Sequence, residues 1–137
     1  MSRVPDWQVA LAECVAARAL VPFAWGAQDC ALFAADCAQV CTGHDPAAGL
    51  RGTYHDALGA ARVLAQFGGL AAIAAERFGE EVPVLFAQPG DIGLIETEGR
   101  DSLCVWTGGA WHAPGKDGLV AFTLDRAKKV WRLEKEV

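Results

Sequence analysis

The stretch VPFAWGAQDCALFAADCAQVCTG, residues 21–43, sets the reading of the whole chain. Its first third, VPFAWGAQ, mixes Pro22, Gly26 and two aromatics without a period, so residues 21–28 read as a structured loop and not a strand. Asp29 then opens a helix. Phe33, Cys37, Val40 and Cys41 recur at helical spacing, and Gly43 stands where a left-handed terminator belongs. Cys30 therefore falls in the first turn of a helix, directly after its capping aspartate. Unpaired backbone N–H groups and the helix dipole at such a place favour thiolate over thiol, which would make Cys30 a nucleophile near neutral pH.

Outward from this segment the period changes once. Upstream, Trp7, Leu11, Cys14 and Val15 place an amphipathic helix within residues 2–20, with Pro5 and Asp6 near its start. Downstream, HDPAAGLRG over residues 44–52 is loop by composition. Thr53 and Asp56 then start a third helix that ends near Gly68, and a fourth covers residues 69–78. After Pro83 short β-rich runs take over at residues 91–96, 102–107, 110–113 and 119–124, joined by glycine turns. Residues 125–130 read as a last helical turn, before 131–133 pairs back onto the sheet. Helices first and a small antiparallel sheet second give an α+β domain.

The chain has 137 residues, room for one domain only, so residues 1–137 are taken as a single unit. Hydrophobic residues make up 53% and charged residues 21%, which supports a packed core. A net charge of -5 has the wrong sign for neutralising phosphates, so nucleic acid is not an expected partner. No uninterrupted run reaches the ~20 apolar residues of a membrane helix. Asp6 and Glu13 interrupt the place of an export segment, so synthesis and retention in the cytoplasm are expected until a partner carries the protein out.

Five cysteines, at positions 14, 30, 37, 41 and 104, lack CxxC pairing. Cys37 and Cys41 read first as small hydrophobes on a buried helix face. A redox or metal module built on Cys30, Cys37 and Cys41 would need further ligands, and no metal or other cofactor is expected. Among the histidines, His44 and His55 read as solvated surface groups, whereas His112 sits in a strand as AWHA. Asp91 reads as a turn-closing residue, and Trp25, Trp106 and Trp111 read as core.

Phe23, Trp25, Gly26, Asp29 and Cys30 resemble the nucleophile motif of the NlpC superfamily of papain-like cysteine peptidases. PGDIGLI at residues 89–95 resembles that family's first barrel strand, and SLCVWTGGAWHA at 102–113 its next two. TGHDP, LRGTY, PGD and KDGL are similar to the short forms encoded among tail genes of tailed phages and gene transfer agents. The resemblance covers most of the chain in order. It implies a papain-like NlpC-type fold, with a Cys-bearing helix packed on a His-bearing sheet and a polar third residue orienting the imidazole.

The resemblance also implies a peptidoglycan endopeptidase acting on peptide stems at the tail tip of a virion during genome delivery. Cys30 would be the nucleophile, with Phe23, Trp25 and Asp29 bounding the substrate cleft. The sequence departs from the motif at Ala31, where relatives usually carry Ser, and at Ser102, where the strand His is usual. His112 occupies the place of the third residue and is the best remaining base, with Ser102 or Asp101 as the orienting group. The alternative is a non-catalytic tail-tip protein that uses the peptidase fold to assemble with hub proteins. Either the first helix or residues 128–133 would supply that contact.

Overall fold

Asp29 caps the central helix by accepting a hydrogen bond from the Leu32 amide at 2.9 Å, and Gly43 ends it in the left-handed conformation (φ 78°). The computed structural model describes residues 2–133 and contains four helices: α1 (Trp7–Arg18), α2 (Cys30–Thr42), α3 (Ala57–Phe67) and α4 (Leu70–Arg77). Six strands follow, β1 (Glu80–Val82), β2 (Ile92–Thr97), β3 (Arg100–Trp106), β4 (Trp111–Gly115), β5 (Gly118–Phe122) and β6 (Ala127–Arg132). They form one antiparallel sheet in the order β1-β6-β2-β3-β4-β5. The α+β class and the helix-then-sheet order thus follow the sequence.

Eight of the thirteen residues of α2 are buried, so this helix is core on nearly every side, and Cys37 and Cys41 pack as small apolar groups. Leu32, Phe33, Ala34 and Cys37 meet Leu94, Leu103, Val105 and Trp131 in the main core. A second cluster, with Cys104, Trp106, Trp111 and Val130, is closed by Val84 and Leu124 from two short 3-10 turns, Val84–Phe86 and Leu124–Arg126. Gly93 makes this cluster possible, since a Cβ there would lie 2.7 Å from the Trp111 ring and 2.9 Å from the Cys104 sulfur. Asp91 accepts from the Gln88 amide at 2.8 Å and pairs with Arg3 at 3.3 Å and Arg132 at 3.1 Å, so it closes its turn and ties both ends of the described chain together.

Three boundaries differ from the sequence reading. The first helix starts at Trp7, because Asp6 adopts a left-handed φ of 58° that no helix interior allows. The expected helical turn over residues 125–130 shrinks to Leu124–Arg126, and β6 starts at Ala127 in an interior position of the sheet. A bulge explains why that strand is hard to read: Leu94 pairs with Lys129 but Ile95 with Ala127, leaving Lys128 as the extra residue that breaks the period of two. β1 is a three-residue edge strand, two of whose residues are exposed, with no alternating pattern to reveal it. No single helix among the described residues is long and apolar enough to cross a membrane; α3 and α4 would reach the length only together, across a 62° bend.

Candidate functional site

The loop before α2 is anchored at both ends by the backbone. Phe23 donates its amide to the Gly115 carbonyl on β4 at 2.8 Å, and Ala24 and Gln28 bridge across the turn. Gly26 holds φ at 79°, and a Cβ there would approach the Tyr54 carbonyl to 2.5 Å, so only glycine lets this loop lie against the segment before α3. The carboxylate of Asp29 joins the pieces. Besides capping α2 it accepts from the Gly26 amide at 3.0 Å and from the Tyr54 hydroxyl at 2.6 Å, while only 1% of the residue remains exposed. All three partners are fixed backbone or side-chain donors, so Asp29 positions the site and does not present a free oxygen to a substrate. Tyr54, missed at the sequence level, is thereby part of the site's frame; its own ionisation is pushed far up by burial and by the adjacent carboxylate.

Cys30 stands at the first position of α2 and is half-buried. Ser102 and the Leu103 backbone on β3 lie beside the sulfur as donors that favour its charged form. Desolvation outweighs these donors, with Asp29 adding to it, so the thiol is pushed above its ordinary value of 9.0. The thiolate expected from the helix dipole is therefore not favoured. Burial removes more hydration from the charged sulfur than the backbone donors return.

Around the sulfur opens a cavity of about 1030 Å³. Phe23, Trp25, Asp29, Cys30 and Ser102 all line it, so the structure brings together five of the six site residues read from the sequence. Its far wall is apolar, built from Ala60, Val63, Leu64 and Ile73 of α3 and α4, and its rim carries Arg77, Arg100, Asp101 and Lys116. Phe23 and Trp25 meet edge to face at 4.8 Å, and the Arg100 guanidinium sits 5.9 Å from the Trp25 ring centre. Trp25 thus bounds the cleft instead of filling the core, joined across the mouth to β3. Asp101 is engaged by Lys128 at 2.5 Å on the exposed side.

His112 is the sixth residue, and it lies elsewhere. It is paired with Val105 across β3 and β4, three residues along the strand from Ser102, a separation of roughly 10 Å at the usual strand rise. It lines a separate groove with Ala12, Val15 and Ala16 of α1, and its Nε2 shares a hydrogen bond with the Thr107 hydroxyl at 3.0 Å. Burial lowers its pKa, which keeps the ring neutral at pH 7. Its neighbour Ala113, on the opposite face of the strand, lines the Cys30 cavity instead. None of the three histidines is among the cavity-lining residues, and both His44 and His55 are exposed.

Cys37 and Cys41 are buried in the core, and Cys37 lies against Cys14 of α1, with a sulfur separation of 3.9 Å. Cys30 instead faces the cavity, so the three thiols do not share one pocket. Among the described residues no group of three or more His, Cys, Asp or Glu side chains is placed to hold a metal ion. No curated protein matches the chain. A family model described as a domain of unknown function, DUF6950, matches residues 2–133, nearly the whole sequence, and the chain belongs to that family.

Proposed function

We propose that this protein is an NlpC-like, papain-type domain of a phage or gene-transfer-agent tail tip that has kept the peptidase cleft and lost its base. In this reading it binds a peptide segment in the Cys30 cavity without cutting it. The observation that carries the proposal is that Ser102, and none of the three histidines, lines the cavity with Cys30. In the NlpC resemblance that strand position belongs to an imidazole, and an aliphatic hydroxyl does not accept a proton from a thiol at neutral pH. Burial raises the Cys30 thiol above its ordinary range, so the thiolate is not the favoured form, and no histidine lines the cavity to take its proton.

Several features support the papain-type assignment. A cysteine at the first turn of a core helix, an antiparallel sheet with β3 against it, and an aromatic-Gly-Asp loop before it are retained together. The ligand in this reading is the peptide stem of peptidoglycan or an extended segment of a tail hub protein, and the site of action is the virion. A second reading, hydrolysis of the stem, is favoured by one observation, the open cavity beside Cys30.

Purified full-length protein incubated with peptidoglycan and with isolated stem peptides separates the two. The proposal expects binding of stem or hub peptide with no new amino termini. Release of peptide fragments that disappears in Cys30→Ala would overturn it in favour of hydrolysis. Purified particles should contain the chain by mass spectrometry, and particles fully infectious without its gene would refute the tail assignment.

A further inference from the structure

Outside the candidate cleft, two thiols of this protein approach one another. Cys14, on the third turn of α1, is half-buried, and its sulfur lies 3.9 Å from that of fully buried Cys37 on α2. The two are 23 positions apart in sequence and belong to different helices, so tertiary packing alone makes the approach. Arg18 stands one helical turn beyond Cys14, bonded to Asp36 at 2.6 Å, and Cys41 lies beside Cys37. The Cys37 thiol and, less strongly, Arg18 favour ionisation of Cys14, against desolvation by burial and the Asp36 charge. The balance lowers the Cys14 pKa to about 7, and the same contact with burial raises that of Cys37.

From this geometry we infer that Cys14 and Cys37 form a redox-active dithiol, in which a hydroperoxide oxidises Cys14 and Cys37 resolves it to a disulfide joining α1 to α2. The Cys14 thiolate attacks one oxygen of hydrogen peroxide; the S–O bond forms, the O–O bond breaks, and hydroxide leaves and takes a proton to become water. The Cys37 sulfur then gives up its proton and displaces the sulfenic oxygen, which leaves as a second water. Two thiols and one peroxide thus yield one disulfide and two waters. The half-buried partner reacts with the oxidant and the fully buried one resolves, a division that matches their accessibility.

The bond has a structural consequence. Leu11 is the only buried residue of α1. Ala12, Val15 and Ala16 of the same helix line the groove that holds His112. A covalent link to α2 therefore pins the helix that walls this groove, independently of anything that happens at Cys30.

The test uses the full chain, one equivalent of hydrogen peroxide at pH 7, an iodoacetamide quench and tryptic mapping. The expected product joins the peptides spanning residues 4–18 and 19–51, with loss of two hydrogens, and thermal unfolding rises by roughly 5 °C or more. Fragmentation of that product places the link at Cys37, and the link persists in Cys41→Ala and Cys30→Ala but not in Cys14→Ser. The fragment assignment is made on the unaltered protein, so failure of a core variant to fold does not affect it. A link through Cys30 or Cys41, or Cys14 sulfinic acid without a link, would overturn the inference.

Discussion

Replacing Asp29 tests whether one buried carboxylate holds the whole front of the cleft. Its oxygens accept from Leu32 at 2.9 Å, Gly26 at 3.0 Å and the Tyr54 hydroxyl at 2.6 Å. Losing the cap alone costs about 1 kcal/mol. Leaving the Tyr54 hydroxyl and the Gly26 amide without their acceptor adds about 1–3 kcal/mol, so Asp29→Ala should destabilise by about 2–4 kcal/mol in all. Tyr54→Phe removes a hydrogen bond to a carboxylate and should cost about 1.5–3 kcal/mol. Because the two changes delete the same bond, the double variant should fall short of the sum by about 1.5 kcal/mol. Asp29→Ser isolates the cap, since serine restores the Leu32 contact but is too short to gather all three donors. Urea unfolding followed by tryptophan emission reads these differences, with an unchanged slope showing that the same surface is exposed. An Asp29→Ala cost of only about 1 kcal/mol, additive with Tyr54→Phe, would show that Asp29 caps a helix and does nothing else.

Three further outcomes follow from the same geometry. Gly26→Ala forces a Cβ to 2.5 Å from the Tyr54 carbonyl at a φ of 79°, and should cost about 2 kcal/mol or more, read as a fall in Tm. Alkylation by iodoacetamide should follow the thiolate of each cysteine, so Cys14, lowered to about 7, gains reactivity from pH 6 to 8, while Cys30, raised above 9.0, stays slow throughout that range. Peptide-resolved labelling that finds Cys30 fastest at pH 7 would instead restore it as an activated nucleophile. Asp91→Ala strips a fully buried carboxylate from Arg3 and Arg132 and should cost about 3–5 kcal/mol, checked by chemical denaturation.

The parts of this fold that could be read from the sequence are those whose causes are local. Asp29 and Gly43 bracket α2 through hydrogen bonds and backbone angles set within one turn of helix, and Asp56 and Gly68 do the same for α3. The start of β6 was hidden because its determinant lies in another strand. The bulge at Leu94 and Ile95 of β2 sets Lys128 out of register, and the lysine pair then looks like a helical surface. Distance along the chain separates the readable half of the site from the rest in the same way. Phe23, Trp25, Asp29 and Cys30 reach one cavity because they lie in a single loop and helix start. Tyr54 joins Asp29 across 25 positions, and Cys14 meets Cys37 across 23, and nothing in either local pattern announces the partner.

His112 shows how far such reasoning can be displaced by register. Its side of the strand follows from alternation with Trp111 and Ala113, but its height along the sheet depends on pairing with Val105. Had β4 slipped three residues against β3, an imidazole would lie opposite Ser102. That slip, an odd number of residues, would also carry Trp111 and Ala113 out of the second core cluster and to the opposite face. Burial of Trp111 and its indole hydrogen bond to the Leu124 carbonyl at 3.2 Å therefore fix His112 in the α1 groove. The absence of an imidazole at Cys30 is thus written into the packing of a tryptophan, and not only into the single substitution at position 102.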